Sequence, residues 1–361
     1  MASFSSGNRT RTCDLRVMSP TSCLLLYPAI CDCKYTTNMF ICKKIVKNIY
    51  FFYSSDMPTF AVLKTVKMEH RAGYVNIIGN PNVGKSTLMN AFVGERLSII
   101  TSKAQTTRHR ILGIVNGDDF QVLFSDTPGI IKPAYELQNS MMDFVKSAFE
   151  DADILVYMVE IGEKELKDEA FFNKIIHSKI PVLLLLNKID KSNQEQLEEQ
   201  VQAWKEKVPN AELFPISALE NFNVQTVFDR IIELLPTSPA FYPKDALTDK
   251  PERFFVNETI REKILLNYDK EIPYAVEIET EEFIEDDNII RIRAVIMVER
   301  DTQKGIIIGH KGAALKRVGI QAREDLEKFF GKQIHLATYV KVNKDWRSSA
   351  YQLKRFGYNQ K

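Results

Sequence analysis

Residues 79–86 read Gly79-Asn80-Pro81-Asn82-Val83-Gly84-Lys85-Ser86, with the spacing G-x-x-x-x-G-K-[ST]. That pattern is the chemistry of a phosphate cradle. Backbone N–H groups turn inward, Lys85 reaches the β- and γ-phosphate oxygens, and Ser86 offers its hydroxyl to Mg²⁺. Three further clusters extend the chemistry. In Asp126-Thr127-Pro128-Gly129 the carboxylate can meet Mg²⁺ through water and the Gly129 amide can meet the γ-phosphate. In Gln105-Thr106-Thr107-Arg108 one threonine is expected to complete the Mg²⁺ shell, and Thr107, which precedes the arginine, is preferred to Thr106. Lys85, Thr107 and Gly129 would then act on the transferred phosphate, with Ser86, Thr107 and Asp126 at the metal. Asn187-Lys188-Ile189-Asp190 selects the base. Guanine offers N1–H and its 2-amino group as paired donors, and Asp190 can accept both. Adenine has no such pair and would leave the carboxylate unmatched, so the site discriminates against ATP. Asn187 can brace the loop, Lys188 can lie along the base, and in Ser217-Ala218 the second amide can donate to guanine O6.

These residues need carriers. A short apolar strand over 74–78 enters the phosphate loop, and an amphipathic helix leaves it through about residue 93. The helix N-terminus adds its positive dipole end to the phosphate site. Strand-like runs at 111–115, 120–124 and 181–186 precede or deliver the other clusters, and a helix spans 223–234. The immediate surroundings of Gly129 extend the nucleotide contacts to Ile130. Residues 235–243 hold three prolines and read as a linker. Beyond it come a helical period at 253–268 and strands at about 274–279 and 289–298. An apolar turn at 305–308 follows, then a helix reaching about residue 330 and a last strand at 334–342. Gly309-His310-Lys311-Gly312 is a G-x-x-G loop of the kind with which KH domains clamp single-stranded nucleic acid. Residues 290–361 carry sixteen Lys/Arg against six Asp/Glu, the electrostatic footprint of an RNA binder. Lys316, Arg317 and Arg323 are candidate phosphate contacts. Trp346 is left between stacking a base and packing on the neighbouring domain. The run 271–287 has eight acidic residues and is expected to lie away from RNA or to meet a basic partner.

The order of motifs, the Q-T-T-R segment, D-T-P-G, N-K-x-D and the closing stretch Val340-Lys-Val-Asn-Lys-Asp-Trp-Arg347 together resemble the Era family of bacterial GTPases, over about residues 68–356. The resemblance implies an α/β P-loop GTPase domain with a mixed, mostly parallel sheet (68–235), a Pro-rich linker (236–251) and an α+β type II KH domain (252–361). It implies Mg²⁺ with GTP or GDP as cofactor, and binding near the 3′ end of 16S rRNA. It further implies a role in 30S subunit maturation and a monomeric cytoplasmic protein able to associate peripherally with the inner membrane. Ras-like proteins carry a water-orienting glutamine directly after the D-x-x-G glycine. Here Ile130 and Ile131 follow, so slow hydrolysis by a different arrangement is expected. The competing readings are a signalling or membrane-scaffold GTPase whose KH fold binds protein, and a P-loop ATPase, against which Asp190 argues.

Composition fits a folded body. Hydrophobic residues are 45% and charged residues 26% of 361, ordinary for globular domains. The net charge of +1 hides a division. Residues 1–67 hold all five cysteines and nine Lys/Arg against three Asp/Glu, whereas the remainder is net −5 and cysteine-free. The cysteines lack zinc-site pairing, and no apolar run there is long enough for a membrane span. The stretch 7–22 looks like read-through of a transfer-RNA-type gene. Residues 1–67 are therefore expected to be a non-native or disordered extension, with Met68, then Met57, as the candidate starts.

Overall fold

The computed structural model describes residues 69–166 and 168–358; the expectations for residues 1–67 and for a start at Met68 lie outside them. The first layer system is a six-stranded sheet. Its strands are β1 (Arg71–Gly79), β2 (Ile111–Asn116), β3 (Phe120–Asp126), β4 (Ile154–Glu160), β5 (Val182–Asn187) and β6 (Ala211–Pro215). They lie in the order β2-β3-β1-β4-β5-β6, all parallel except β2, which is antiparallel to β3. Near-continuous apolar runs such as Leu183–Leu186 suit strands covered on both faces. The period of two then divides them: Leu183 and Leu185 join one core, Leu184 and Leu186 the other. On the first face lie α1 (Lys85–Val93) and α5 (Val224–Leu234). The second carries α2 (Glu136–Glu150), α3 (Glu169–Ile176) and α4 (Gln194–Lys207). Register brings the carboxyl ends of four strands level: Ile77 pairs with Asp126, Gly79 with Met158, and Glu160 with Asn187. Open α/β sheets bind ligands at that edge.

The expected linker does not hang free. Residues 236–251 run along β2, where Ile114 donates its N–H to Leu247 O at 2.9 Å and Leu112 donates to Asp249 Oδ1 at 3.1 Å. Gln121 Oε1 accepts from the amides of Phe241 and Tyr242 at 2.7 and 3.0 Å. The segment therefore covers the sheet's edge strand, which would otherwise present unpaired backbone groups.

The second sheet, β7-β8-β9, comprises β7 (Glu277–Glu285), β8 (Ile289–Val298) and β9 (Gln333–Val342). β7 and β8 are antiparallel, β8 and β9 parallel. Helices α6 (Glu252–Asn267), α7 (Asp301–Ile308) and α8 (Ala313–Phe330) close its core through Ile260, Ile264, Ile307, Val318 and Leu326. The helix α7 corrects the sequence reading, which took 305–308 for an apolar turn. Gln303 starts the helix by accepting the amides of Glu299 and Arg300 at 3.0 and 3.1 Å. Its order is therefore α-β-β-α-α-β. β7 begins three residues later than expected, after a 3₁₀ turn at Ile272–Tyr274, and extends through the acidic run. The carboxylates of β7 are largely matched within the chain: Glu279 to Arg355, Glu282 to Arg293 and Glu285 to Lys332.

A final helix, α9 (Ala350–Arg355), has no counterpart in the sequence reading. It belongs to a tail that returns to the first sheet. Trp346, Leu353 and Tyr358 join the second-face core, where the turn at 346–348 packs against α2, and the Trp346 indole N–H donates to Ala275 O at 3.1 Å. Trp346 is fully buried, which removes the base-stacking alternative.

Candidate functional site

A cavity of about 520 Å³ opens at the level strand ends. The phosphate loop forms one wall. Gly84 sits at φ 105°, and a Cβ there would fall 2.4 Å from Asn187 Nδ2, so the position needs glycine twice over. Lys85 is buried, its ammonium donating to Asn80 O at 2.9 Å and Gly79 O at 3.3 Å. Burial lowers its pKa to about 8, partly opposed by Asp126 and Glu163. The loop therefore holds a poised cation that a polyphosphate would complete.

Three hydroxyl and carboxylate groups meet beside it. Ser86 Oγ donates to Asp126 Oδ2 at 2.7 Å, Thr107 Oγ1 lies 3.1 Å from the same oxygen, and the two hydroxyls are 3.0 Å apart. Thr106 does not join them; its hydroxyl donates to Lys103 O at 2.6 Å. Burial raises the Asp126 carboxyl, while Lys85 and the hydroxyls pull it down. Asp126 Oδ1 is buried with no hydrogen-bond partner among the described residues beyond the Ser98 hydroxyl, whose closeness also lowers the carboxyl. A buried carboxylate oxygen in that condition, with two hydroxyls alongside, fits a hard cation such as Mg²⁺. The two hydroxyls and one carboxylate leave room for phosphate oxygens to complete such an ion's shell.

The base end is braced in the same way. Asn187 donates from Nδ2 to Val83 O at 2.7 Å and accepts the Ala218 amide at 2.9 Å. Lys188 donates to Asn82 O at 2.7 Å, and Ser217 Oγ donates to Asp190 Oδ1 at 2.6 Å. One Asp190 oxygen is thereby fixed and the carboxylate is oriented. Pro81, Asn82, Gly84, Lys85, Ser86 and Thr107 line the cavity, as do Thr127, Gly129, Asn187, Lys188, Asp190 and Ala218. Gly79, Asn80, Val83, Asp126, Pro128, Ile189 and Ser217 do not line it; of these, Gly79 and Asn80 hold Lys85 through their carbonyls, Val83 holds Asn187, and Ser217 holds Asp190. Ile130 does not reach it: the side chain is fully buried in the second-face core and its N–H is spent on Gly79 O at 3.1 Å. Ile131 lines the cavity instead, with Ile99, Ser102, Gln105, Lys191 and Leu219. None of these five belongs to a nucleotide motif except Gln105, which stands beside the threonines.

The segment carrying Thr107 is tied into the second sheet's domain. Arg108 is buried and donates to Val276 O at 2.7 Å, Pro273 O at 3.2 Å and Tyr274 O at 3.3 Å. Arg261 of α6 reaches the carbonyls of Gln105 and Thr106. Spacing marks Arg108 only as the end of the Q-T-T-R run, with no sign of this role, and gives no signal for Arg261.

A second concavity, about 630 Å³, lies between α8 and β9. Gly309 (φ 69°), Lys311 (φ 50°) and Gly312 (φ 79°) turn the chain at its end, and a Cβ on Gly309 would meet Ala314 Cβ at 2.6 Å. Its walls combine apolar Leu315, Ile320, Ile334 and Leu336 with exposed Lys316 and Arg323. His310 and Lys311 are exposed on the loop. Arg317 does not line the groove; it is exposed, and its charge acts on Tyr268, just past the end of α6.

Comparisons with known proteins match both parts of the chain. Residues 74–188 match the family model described as a 50S ribosome-binding GTPase, and 271–347 match a KH domain. GTPase Era of Staphylococcus haemolyticus (strain JCSC1435) is 42% identical over 292 residues, covering 80% of this chain and 98% of that protein. The chain belongs to the Era family of GTPases. A crystal structure of Era in complex with MgGDPNP and nucleotides 1506–1542 of 16S ribosomal RNA is similar at 37% identity and a TM-score of 0.77, covering 80% of this chain and 99% of that one. A variant of Aquifex aeolicus Era bound to GDP·AlF₄⁻ matches with the same identity, TM-score and coverage. The Era-family α/β GTPase and KH architecture is thus the architecture of this chain. No helix among the described residues is long and apolar enough to cross a membrane.

Proposed function

We propose that this GTPase is a nucleotide-controlled switch that binds the 3′ region of 16S rRNA and acts in maturation of the 30S subunit. The 16S rRNA fragment held by a relative supports the partner, and the cationic, apolar-floored groove behind Gly309 and Gly312 supports the mode. The observation that carries the reading is one pair of neighbours. Thr107 meets Ser86 and Asp126 at the phosphate site, and Arg108, the next residue, is seated in the KH domain's backbone carbonyls. A segment that answers to the nucleotide is thereby fastened to the RNA-binding half.

At the phosphate end Lys85 would bind the β- and γ-oxygens, and the Gly129 amide would orient the γ-phosphate. Ser86, Thr107 and Asp126 are the residues that would hold Mg²⁺, which when bound neutralises charge on the phosphates. Asp190 would accept from guanine N1–H and the 2-amino group, and Lys188 would lie along the ring; the Ala218 amide, which donates to Asn187 Oδ1 at 2.9 Å, would have to exchange that partner to reach O6. Neither Ile130, which is buried, nor Ile131 can orient water, so hydrolysis would be slow and depend on backbone and loop order. On the RNA side Lys311, Lys316 and Arg323 would contact phosphates, with Gly309, His310 and Gly312 shaping the loop.

The test is the salt dependence of binding to an RNA of the 16S 3′ end. Wild type should bind with an affinity that falls steeply with salt, and Gly309→Asp, which adds a strained side chain and a negative charge, should weaken it by at least about tenfold. Unchanged affinity in that variant would overturn the RNA reading in favour of a protein-binding scaffold.

A further inference from the structure

The turn that follows β4 touches the nucleotide cavity from outside at two places, and no nucleotide motif includes it. Glu160, the last residue of β4, accepts from the Lys188 ammonium at 2.7 Å, with Lys191 at 3.9 Å from its other oxygen. Gly162 (φ 85°) turns the chain, and Glu163 comes back to accept the Glu160 amide at 2.9 Å. Glu163 then accepts from the side-chain amide of Asn80, which also reaches Glu165 O at 3.2 Å. The carbonyl of Asn80 holds Lys85, and the carbonyl of Asn82 holds Lys188 at 2.7 Å. The result is a closed ring of polar contacts: phosphate loop, Glu163, Glu160, Lys188, and back to the phosphate loop.

We infer that Glu160 and Glu163 form a carboxylate clamp that sets the spacing between the phosphate loop and the guanine loop, with Glu160 the positioning residue for Lys188. The chemistry favours this. An unpaired lysine on a flexible four-carbon stem samples many rotamers, and fixing it against the base costs conformational entropy on each binding event. Glu160 holds the ammonium in place beforehand, so less is lost when the nucleotide enters. Glu160 and Lys188 are both partly shielded, with side-chain exposures of 33% and 22%, so their attraction is less screened than a free surface pair. The base and ribose end is common to GTP and GDP. Through Lys188, Glu160 therefore acts on affinity for both nucleotides equally and not on the phosphoryl transfer step.

This inference rests on the cavity being the guanine nucleotide site, and the experiment separates the two. GDP and GDPNP affinities are measured for wild type, Glu160→Gln, Lys188→Met and the double variant, with kcat at saturating GTP. Glu160→Gln is expected to weaken both nucleotides by the same factor, about tenfold, with kcat changed less than about twofold. In the Lys188→Met background the added loss should fall below about twofold, because the partner is gone. Full additivity would overturn the clamp, as would an unchanged affinity in Glu160→Gln or a loss confined to kcat. Wild type that binds no GDP would overturn the site assignment and the clamp with it. Matching thermal midpoints for wild type and Glu160→Gln would show that lost affinity is not lost folding, while a fall in midpoint that accounts for the affinity change would also overturn the proposal.

Discussion

His109 ties the stability of the junction between the two domains to pH. The ring is half-buried and stacks on Tyr358 at 4.2 Å, with Phe254 edge-on at 5.6 Å and Phe144 at 5.9 Å. Burial, reinforced by the positive charges of Arg261, Lys250 and Arg108, pushes its pKa down to about 3. The folded protein thus keeps the ring neutral where the unfolded chain, with an ordinary value near 6.5, takes up a proton. The unfolded state binds more protons in that window, so the stabilisation is complete above about pH 6.5 and is lost as pH falls toward about 3. At 1.36 kcal/mol per unit, the loss between about pH 7 and pH 5 is at most about 2 kcal/mol, with roughly 0.7 kcal/mol gone by about pH 6. The ring's remaining solvent contact makes these ceilings. The assay is urea unfolding of wild type and His109→Phe across this range. The variant keeps an aromatic ring in the stack and lacks the titration, and the carboxylates common to both proteins cancel in the difference. Wild type should lose stability relative to His109→Phe as pH falls. Parallel curves would refute the argument that this ring is held neutral.

Four further outcomes are expected. Lys85→Ala should abolish measurable nucleotide binding by equilibrium dialysis, since the buried ammonium is the loop's one reaching cation. Ile130→Ala should change turnover by less than about tenfold while lowering stability by about 2–5 kcal/mol, because the side chain is core and not catalytic. Asp190→Asn should weaken GDP by about 10²–10³-fold in a fluorescent-nucleotide titration and improve binding of xanthosine nucleotides, whose 2-oxo group accepts where guanine donates. Trp346→Ala should cost about 3–5 kcal/mol in chemical unfolding, since the fully buried indole packs in the second-face core beside α2 and its bond to Ala275 O is lost.

The phosphate and guanine motifs were legible because their geometry is local. A loop between one strand and one helix needs glycine at fixed positions, and Gly84 at φ 105° pressed against Asn187 is a backbone demand that spacing records. The preference for Thr107 over Thr106 came from its place beside Arg108, and the structure turns Thr107 toward Ser86 and Thr106 toward Lys103 O. What was not legible depends on distant contacts. The α7 sequence Asp-Thr-Gln-Lys-Gly-Ile-Ile-Ile is poor in helix formers, with three β-branched isoleucines and a glycine, and packing of Ile307 against the second sheet overrides that. Ile130 looked like part of the site because it adjoins Gly129, but at the next residue the chain turns its side chain into the core. Arg317 and Arg323 looked equivalent as charges on one helix. Six residues apart they lie on different faces, and only Arg323 reaches the groove. Trp346 was open between RNA and protein because an aromatic residue serves both, and only the return of α9 to the first sheet decides it.

The central claim is that the nucleotide state controls RNA engagement through the segment joining Thr107 to Arg108. The most direct measurement is the affinity for an RNA of the 16S 3′ end with the protein loaded with Mg²⁺ and GDPNP, and then with GDP, at one fixed salt concentration. The account predicts tighter binding in the GDPNP state, by at least about fivefold, the lower end of ordinary allosteric coupling. Equal affinity in the two states would contradict it.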